Sequence, residues 1–107
     1  MDNAIYGSAK AWVNFNGVTT ATVRASYNVS SVTYLSSAKY QINFTNALVD
    51  ANYSIIATGG QQGVLICGNT TSQVYPPYTT TSAQLVSIVS STSALYDCAA
   101  VTVSVFR

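Results

Sequence analysis

The chain has 107 residues, enough for one hydrophobic core but not two, and only Lys10, Arg24, Lys39, Arg107, Asp2, Asp50 and Asp97 carry charge. That is 7% of the chain, where an ordinary soluble domain carries about 25%. With a net charge of +1 and no His there is no basic patch for nucleic acid and no Ser-His-Asp triad.

Ser and Thr fill the gap, at about a quarter of the residues, joined by eight Asn and eight Tyr. Val, Ile, Thr and Tyr dominate, which suits a pleated, half-buried surface and predicts an all-β fold. A monomer of this mass exposes roughly 5,700 Å², so each charge serves about 800 Å², one partner's share of a standard interface. Such a surface is expected to be buried in part against identical subunits. The longest apolar runs are far shorter than the 18 or so residues a helix needs to cross a bilayer, so no membrane insertion is expected. Met1–Lys10 has neither the basic start nor the apolar block of a signal peptide. Residues 1–8 are therefore expected to be a connector from an upstream segment, or the start of a truncated piece, with one domain over 9–107.

In chain order, residues 9–15 alternate, with Ala11, Val13 and Phe15 on one face and Lys10, Trp12 and Asn14 on the other. Trp12, mid-strand, is expected to be interior or interfacial. Asn16-Gly17 then predicts a tight hairpin with both residues at positive φ, and a return strand over Thr19–Tyr27. Strands follow at Ser31–Tyr34 and Lys39–Thr45, joined through Leu35-Ser36-Ser37-Ala38, with Tyr40, Ile42 and Phe44 on one face. Residues 53–58 and 63–68 flank Gly59-Gly60-Gln61-Gln62, a tight reversal. Asn69–Thr81 is irregular, and its Pro76-Pro77 pair cannot donate to a central ladder. Residues 83–90 and 98–106 close the series, the last alternating Val101, Val103 and Val105 against Thr102, Ser104 and Phe106. No 3.6-residue apolar period is long enough for a helix. About eight strands, spaced roughly 10–12 residues apart, predict an antiparallel β-sandwich or barrel.

Catalysis is not expected. Glycoside hydrolysis needs two carboxylates flanking the bond, and Asp2, Asp50 and Asp97 fall in separate regions. Asp50 reads instead as a turn residue that accepts bonds from local backbone NH groups. Cys67 and Cys98 sit in apolar strand-like runs and are expected to be reduced core thiols, with one disulfide between them as the alternative; two Cys with no His and no CxxC pair cannot make a four-ligand zinc site alone, and no cofactor is expected. The four Asn-x-Ser/Thr triplets, at Asn28, Asn43, Asn52 and Asn69, are what this composition gives by chance. What remains is binding. Tyr75-Pro76-Pro77-Tyr78 presents two rings on a stiff backbone, with amides from Gln61, Gln62 and Asn69, and with Tyr34 and Tyr96 at other loop edges. The same tyrosines would equally serve to cover the core or a subunit interface.

The strings AKAWVNFNG (Ala9–Gly17), VRASYNVSSVT (Val23–Thr33), YQINFTNAL (Tyr40–Leu48), DANYSI (Asp50–Ile55) and the closing VTVSVFR together resemble the C-terminal tip domain of bacteriophage tail fibres. The resemblance covers roughly the first half and the final strand. It implies a β-rich homotrimeric tip in the virion, assembled in the host bacterial cytoplasm, that binds a host cell-surface glycan or outer-membrane protein. It implies no cofactor and no catalytic residue. A fibre cap without its own receptor is the alternative, a polysaccharide depolymerase fragment a more distant one. The chain departs from the pattern at Ser36-Ser37-Ala38-Lys39, where relatives usually carry a Gly-rich turn with Asp before Tyr, and at Val49, where Pro is common.

Overall fold

The computed structural model describes residues 9–18, 20–60, 64–68, 78–89, 91–92 and 94–107. Among the described residues, eight strands form two four-stranded antiparallel sheets. They are β1 (Ala11–Asn16), β2 (Thr22–Tyr27), β3 (Val29–Ser36), β4 (Lys39–Phe44), β5 (Ser54–Gly59), β6 (Val64–Gly68), β7 (Ser82–Val89) and β8 (Val101–Phe106). One sheet has the order β2-β1-β8-β5 and the other β3-β4-β7-β6. The described residues contain no helix.

The period-2 pattern decides which side chains meet between the sheets. Ala11, Val13 and Phe15 of β1, Val101, Val103 and Val105 of β8, and Tyr40, Ile42 and Phe44 of β4 are all buried, as their alternation predicts. Val32, Ala83 and Leu85 complete the opposite wall. Aromatic edges run through this β-sandwich-like core. Phe15 meets Tyr40 across the sheets at 5.2 Å between ring centroids, and Tyr40 meets Tyr34 at 5.9 Å. Phe44 meets Tyr53 at 5.8 Å. Such edge-to-face pairs contribute about 0.5–1.5 kcal/mol each beyond their buried area.

Strand direction places the connections at two ends. At the first end lie Gly17, Val18, Thr20 and Ala21, the Ser37-Ala38 turn, Gly60, and residues 91, 92 and 94–100. At the second lie Asn28, residues 45–53, Tyr78–Thr81, and both Lys10 and Arg107. The chain changes sheet at opposite edges. Asn28 alone carries it from β2 to β3, and between Gly60 and Val64 it passes from β5 to β6, rather than returning along a partner in the same sheet. A Cβ at Gly59 would lie 2.9 Å from Val64 Cγ1 and 3.1 Å from Cys98 Sγ, so this crossing leaves no room for a side chain.

The first hairpin corrects one expectation. β1 and β2 do pair, but Asn16 closes β1 without a positive φ, and the return strand begins at Thr22. The Asn16 side chain caps the bend by accepting from Val18 N–H at 3.0 Å. Gly17 is needed for close approach: a Cβ there would collide with the Tyr40 phenol and stand 2.8 Å from Cys98 O. The register of β2 also slips by one residue at Asn14/Phe15, a bulge that leaves Arg24 unopposed on this edge strand.

Candidate functional site

The described tyrosines singled out from the sequence, Tyr34, Tyr78 and Tyr96, do not form one cluster. Tyr34 and Tyr96 stand at the first end, Tyr78 at the second; Gln61, Gln62, Asn69 and Tyr75 lie outside the described residues. Tyr78 is half-buried against the core, 5.5 Å from the Tyr53 ring, and pairs with Ala83 in an isolated bridge. It closes the core at that end. Tyr34 is also half-buried, and its phenol donates to Asp97 Oδ2 at 2.8 Å. That bond, made to a carboxylate, raises the Tyr34 pKa. Asp97 Oδ1 accepts from Ala38 N–H at 2.7 Å, so this carboxylate ties strand β3 and the Ser37-Ala38 turn to the β7–β8 connection. Tyr96 is 39% exposed, and its N–H donates to Ser87 O at 3.1 Å.

Asp50, the other acid among the described residues, is equally engaged within the fold. Asp50 Oδ1 accepts from Asn52 N–H at 2.8 Å, the local turn bond its position predicts. Arg107 adds two bonds of 2.8 Å, Nε to Oδ1 and Nη2 to Oδ2. The guanidinium and the turn bond together hold the Asp50 carboxyl at about 2. Asp50 and Asp97 therefore stand at opposite ends of one chain, each engaged with its own partners. Cys98 is buried as a free thiol that donates to Ala100 O at 3.1 Å, and the side chain of Cys67 lies outside what is described.

What the sequence reading missed is a surface. Trp12 is not interior: it is 39% exposed on the outer face of the β2-β1-β8-β5 sheet. Its cross-strand neighbours are Tyr27 on β2 and Ser104 on β8, and Ser104 in turn faces Ile56 on β5. Tyr27 is 57% and Ile56 61% exposed, so three large apolar side chains share one row across four strands. The next row is Ala25, Asn14, Thr102 and Thr58, closed by a 2.8 Å hydroxyl contact between Thr58 and Thr102. Where the row reaches the β2–β3 corner, a cleft of about 350 Å³ opens between Tyr27, Asn28, Thr45 and Asn46. A second, of about 280 Å³, lies beyond Asn28, lined by Lys10, Ala47, Leu48, Val49 and Arg107.

The outer face of the second sheet is different in kind, a ladder of neutral amides. Asn43 donates to Ser31 and Thr33 Oγ atoms at 3.1 and 3.0 Å, Gln41 to Asn43 Oδ1 at 2.8 Å, and Gln84 to Gln41 Oε1 at 3.1 Å. The period-2 pattern gives both outer faces; the strand order that sets Tyr27, Trp12 and Ile56 side by side could not be read from it. Comparison with protein-family models, curated proteins and solved structures finds no match to this chain.

Proposed function

We propose that this domain is the homotrimeric tip of a phage tail fibre, which holds the virion to a host cell surface without chemistry of its own. The observation that carries this reading is the placement of charge. Of the described charged residues Lys10, Arg24, Lys39, Asp50, Asp97 and Arg107, only two lie in strands, Arg24 on an edge and Lys39 at the first position of β4. Apart from these two and from Lys10, just ahead of β1, both broad faces are left to hydroxyls, amides and apolar side chains. Neutral faces of that kind suit contact with other surfaces, whether copies of the chain or a target. The trimer rests on the sequence resemblance and on the same scarcity of charge. Three copies held together would turn weak single contacts into avidity.

The test is adsorption. Fluorescently labelled domain should stain susceptible bacteria and compete with the parent phage for them, and light scattering should give three times the 11.3 kDa chain mass. A mass of one chain removes the trimer. A trimer that neither stains nor competes is a fibre cap, and the adhesin reading falls.

A further inference from the structure

From the Tyr27–Trp12–Ile56 row and the cleft beside it, we infer a binding platform for an uncharged oligosaccharide, an inference that rests on the domain being an adhesin. Three observations carry it.

The first is shape and size. Strand spacing makes the whole outer face about 19 Å by 20 Å, so roughly 400 Å². A flat footprint of that size is at the small end for a protein interface. It is ample for a short glycan lying across the strands. The second is chemistry. A pyranose ring has an apolar face of C–H groups and a rim of hydroxyls. Trp12 and Tyr27 offer flat exposed rings for the former. Exposed Thr45 and Asn46, in the cleft that Tyr27 lines, offer neutral donors and acceptors for the latter. The third is charge. The two guanidiniums bordering the face are committed within the chain. Arg24 Nη2 donates to Ala99 O at 2.8 Å and Nη1 to Asn14 Oδ1 at 3.4 Å, while Arg107 is held by both oxygens of Asp50. No ionised side chain stands in the Tyr27–Trp12–Ser104–Ile56 row itself, and Lys10 is the cation that shares its face, two residues before Trp12; stacking on the rings should therefore depend only weakly on salt.

Trp12 is the single tryptophan, which makes the platform its own reporter. The full chain is titrated with a panel of neutral gluco-, galacto- and manno-oligosaccharides and with sialylated and sulfated counterparts, following tryptophan emission and heat. We expect at least one neutral glycan to perturb Trp12 fluorescence, with affinity unchanged between 50 and 500 mM NaCl. Trp12→Ala and Tyr27→Ala should each weaken that binding by about tenfold or more, while Trp12→Phe and Tyr27→Phe, which keep a ring, lose much less. Because both side chains are exposed, circular dichroism and thermal melting should be unchanged in all four. Leu35→Ala, exposed on β3, serves as the control and should bind normally.

The inference is overturned if no neutral glycan binds, if only acidic glycans bind and salt abolishes it, or if Trp12→Ala binds as well as the parent. It is overturned equally if Trp12→Ala or Ile56→Ser lowers the mass seen by light scattering, which would make the face an interface between copies. Failure of the adhesin reading looks different. Glycan binding without cell staining removes the adhesin and keeps the platform. Staining that survives Trp12→Ala and Tyr27→Ala removes the platform and keeps the adhesin.

Discussion

The Tyr40 hydroxyl is the hinge of the core. It donates to Gly17 O at 2.8 Å and accepts from Cys98 N–H at 3.3 Å, joining the β1–β2 hairpin to the approach of β8. Tyr40→Phe leaves a buried carbonyl and N–H short of a partner, so urea unfolding should show a loss of about 1–3 kcal/mol. Gly17→Ala should cost at least as much, since the new methyl has nowhere to go. Ala38 is a second such point. It is buried at φ 63°, in the left-handed region. Relief of that strain and loss of a buried methyl nearly offset one another, so Ala38→Gly should change stability by less than about 1 kcal/mol. Ala38→Val forces a β-branched side chain into the same conformation and should cost more than about 2 kcal/mol in the same assay.

Among the elements, the strands were legible and their partners were not. Alternation alone places Ala11, Val13, Phe15, Tyr40, Ile42, Phe44, Val101, Val103 and Val105 inside, because period-2 burial is a local property. Pairing is not local: nothing in AWVNFN states that β1 lies between β2 and β8. Asn16-Gly17 marked the hairpin for the wrong reason, since what fixes glycine there is Tyr40, twenty-three residues on. Asn28 shows the same limit. Read from sequence as a chance triplet, it is the one-residue link between the sheets, at φ 56°, where asparagine is tolerated. Its amide donates to Lys10 O and Asn46 O, each at 3.2 Å, and its Oδ1 accepts from Asn46 N–H at 2.8 Å. Asn28→Ala removes all three bonds and keeps the strained φ, and should cost about 2–3 kcal/mol. Asn28→Gly, which relieves the strain, should lose less, and comparing the two melts separates the bonds from the backbone.

For the molecule as a whole, buried phenols set the alkaline limit. Burial pushes both Tyr40 and Tyr53 up to about 12, from an ordinary value near 10. The native state thus keeps its protons where the unfolded chain has lost them. Their stabilisation is complete below pH 10 and is lost as pH rises from 10 through 12, by on the order of 2–3 kcal/mol per ring. Denaturation followed between pH 9 and 12 should show this fall, and Tyr53→Phe should remove its share. The candidate platform was invisible in the sequence for the reason that pairing was: Trp12, Tyr27 and Ile56 are far apart in the chain and become neighbours only through strand order. That order also governs how the protein is made. β1 hydrogen-bonds to β8, so among the described strands the earliest waits for the latest before their sheet can close. Folding should be slow, in milliseconds to seconds, because the β1–β8, β5–β8 and β4–β7 pairings join strands far apart in the chain. A chain stopped short of Val101 would leave β1 and β5 as raw edges facing each other across the gap, the kind of exposed ladder that seeds aggregation.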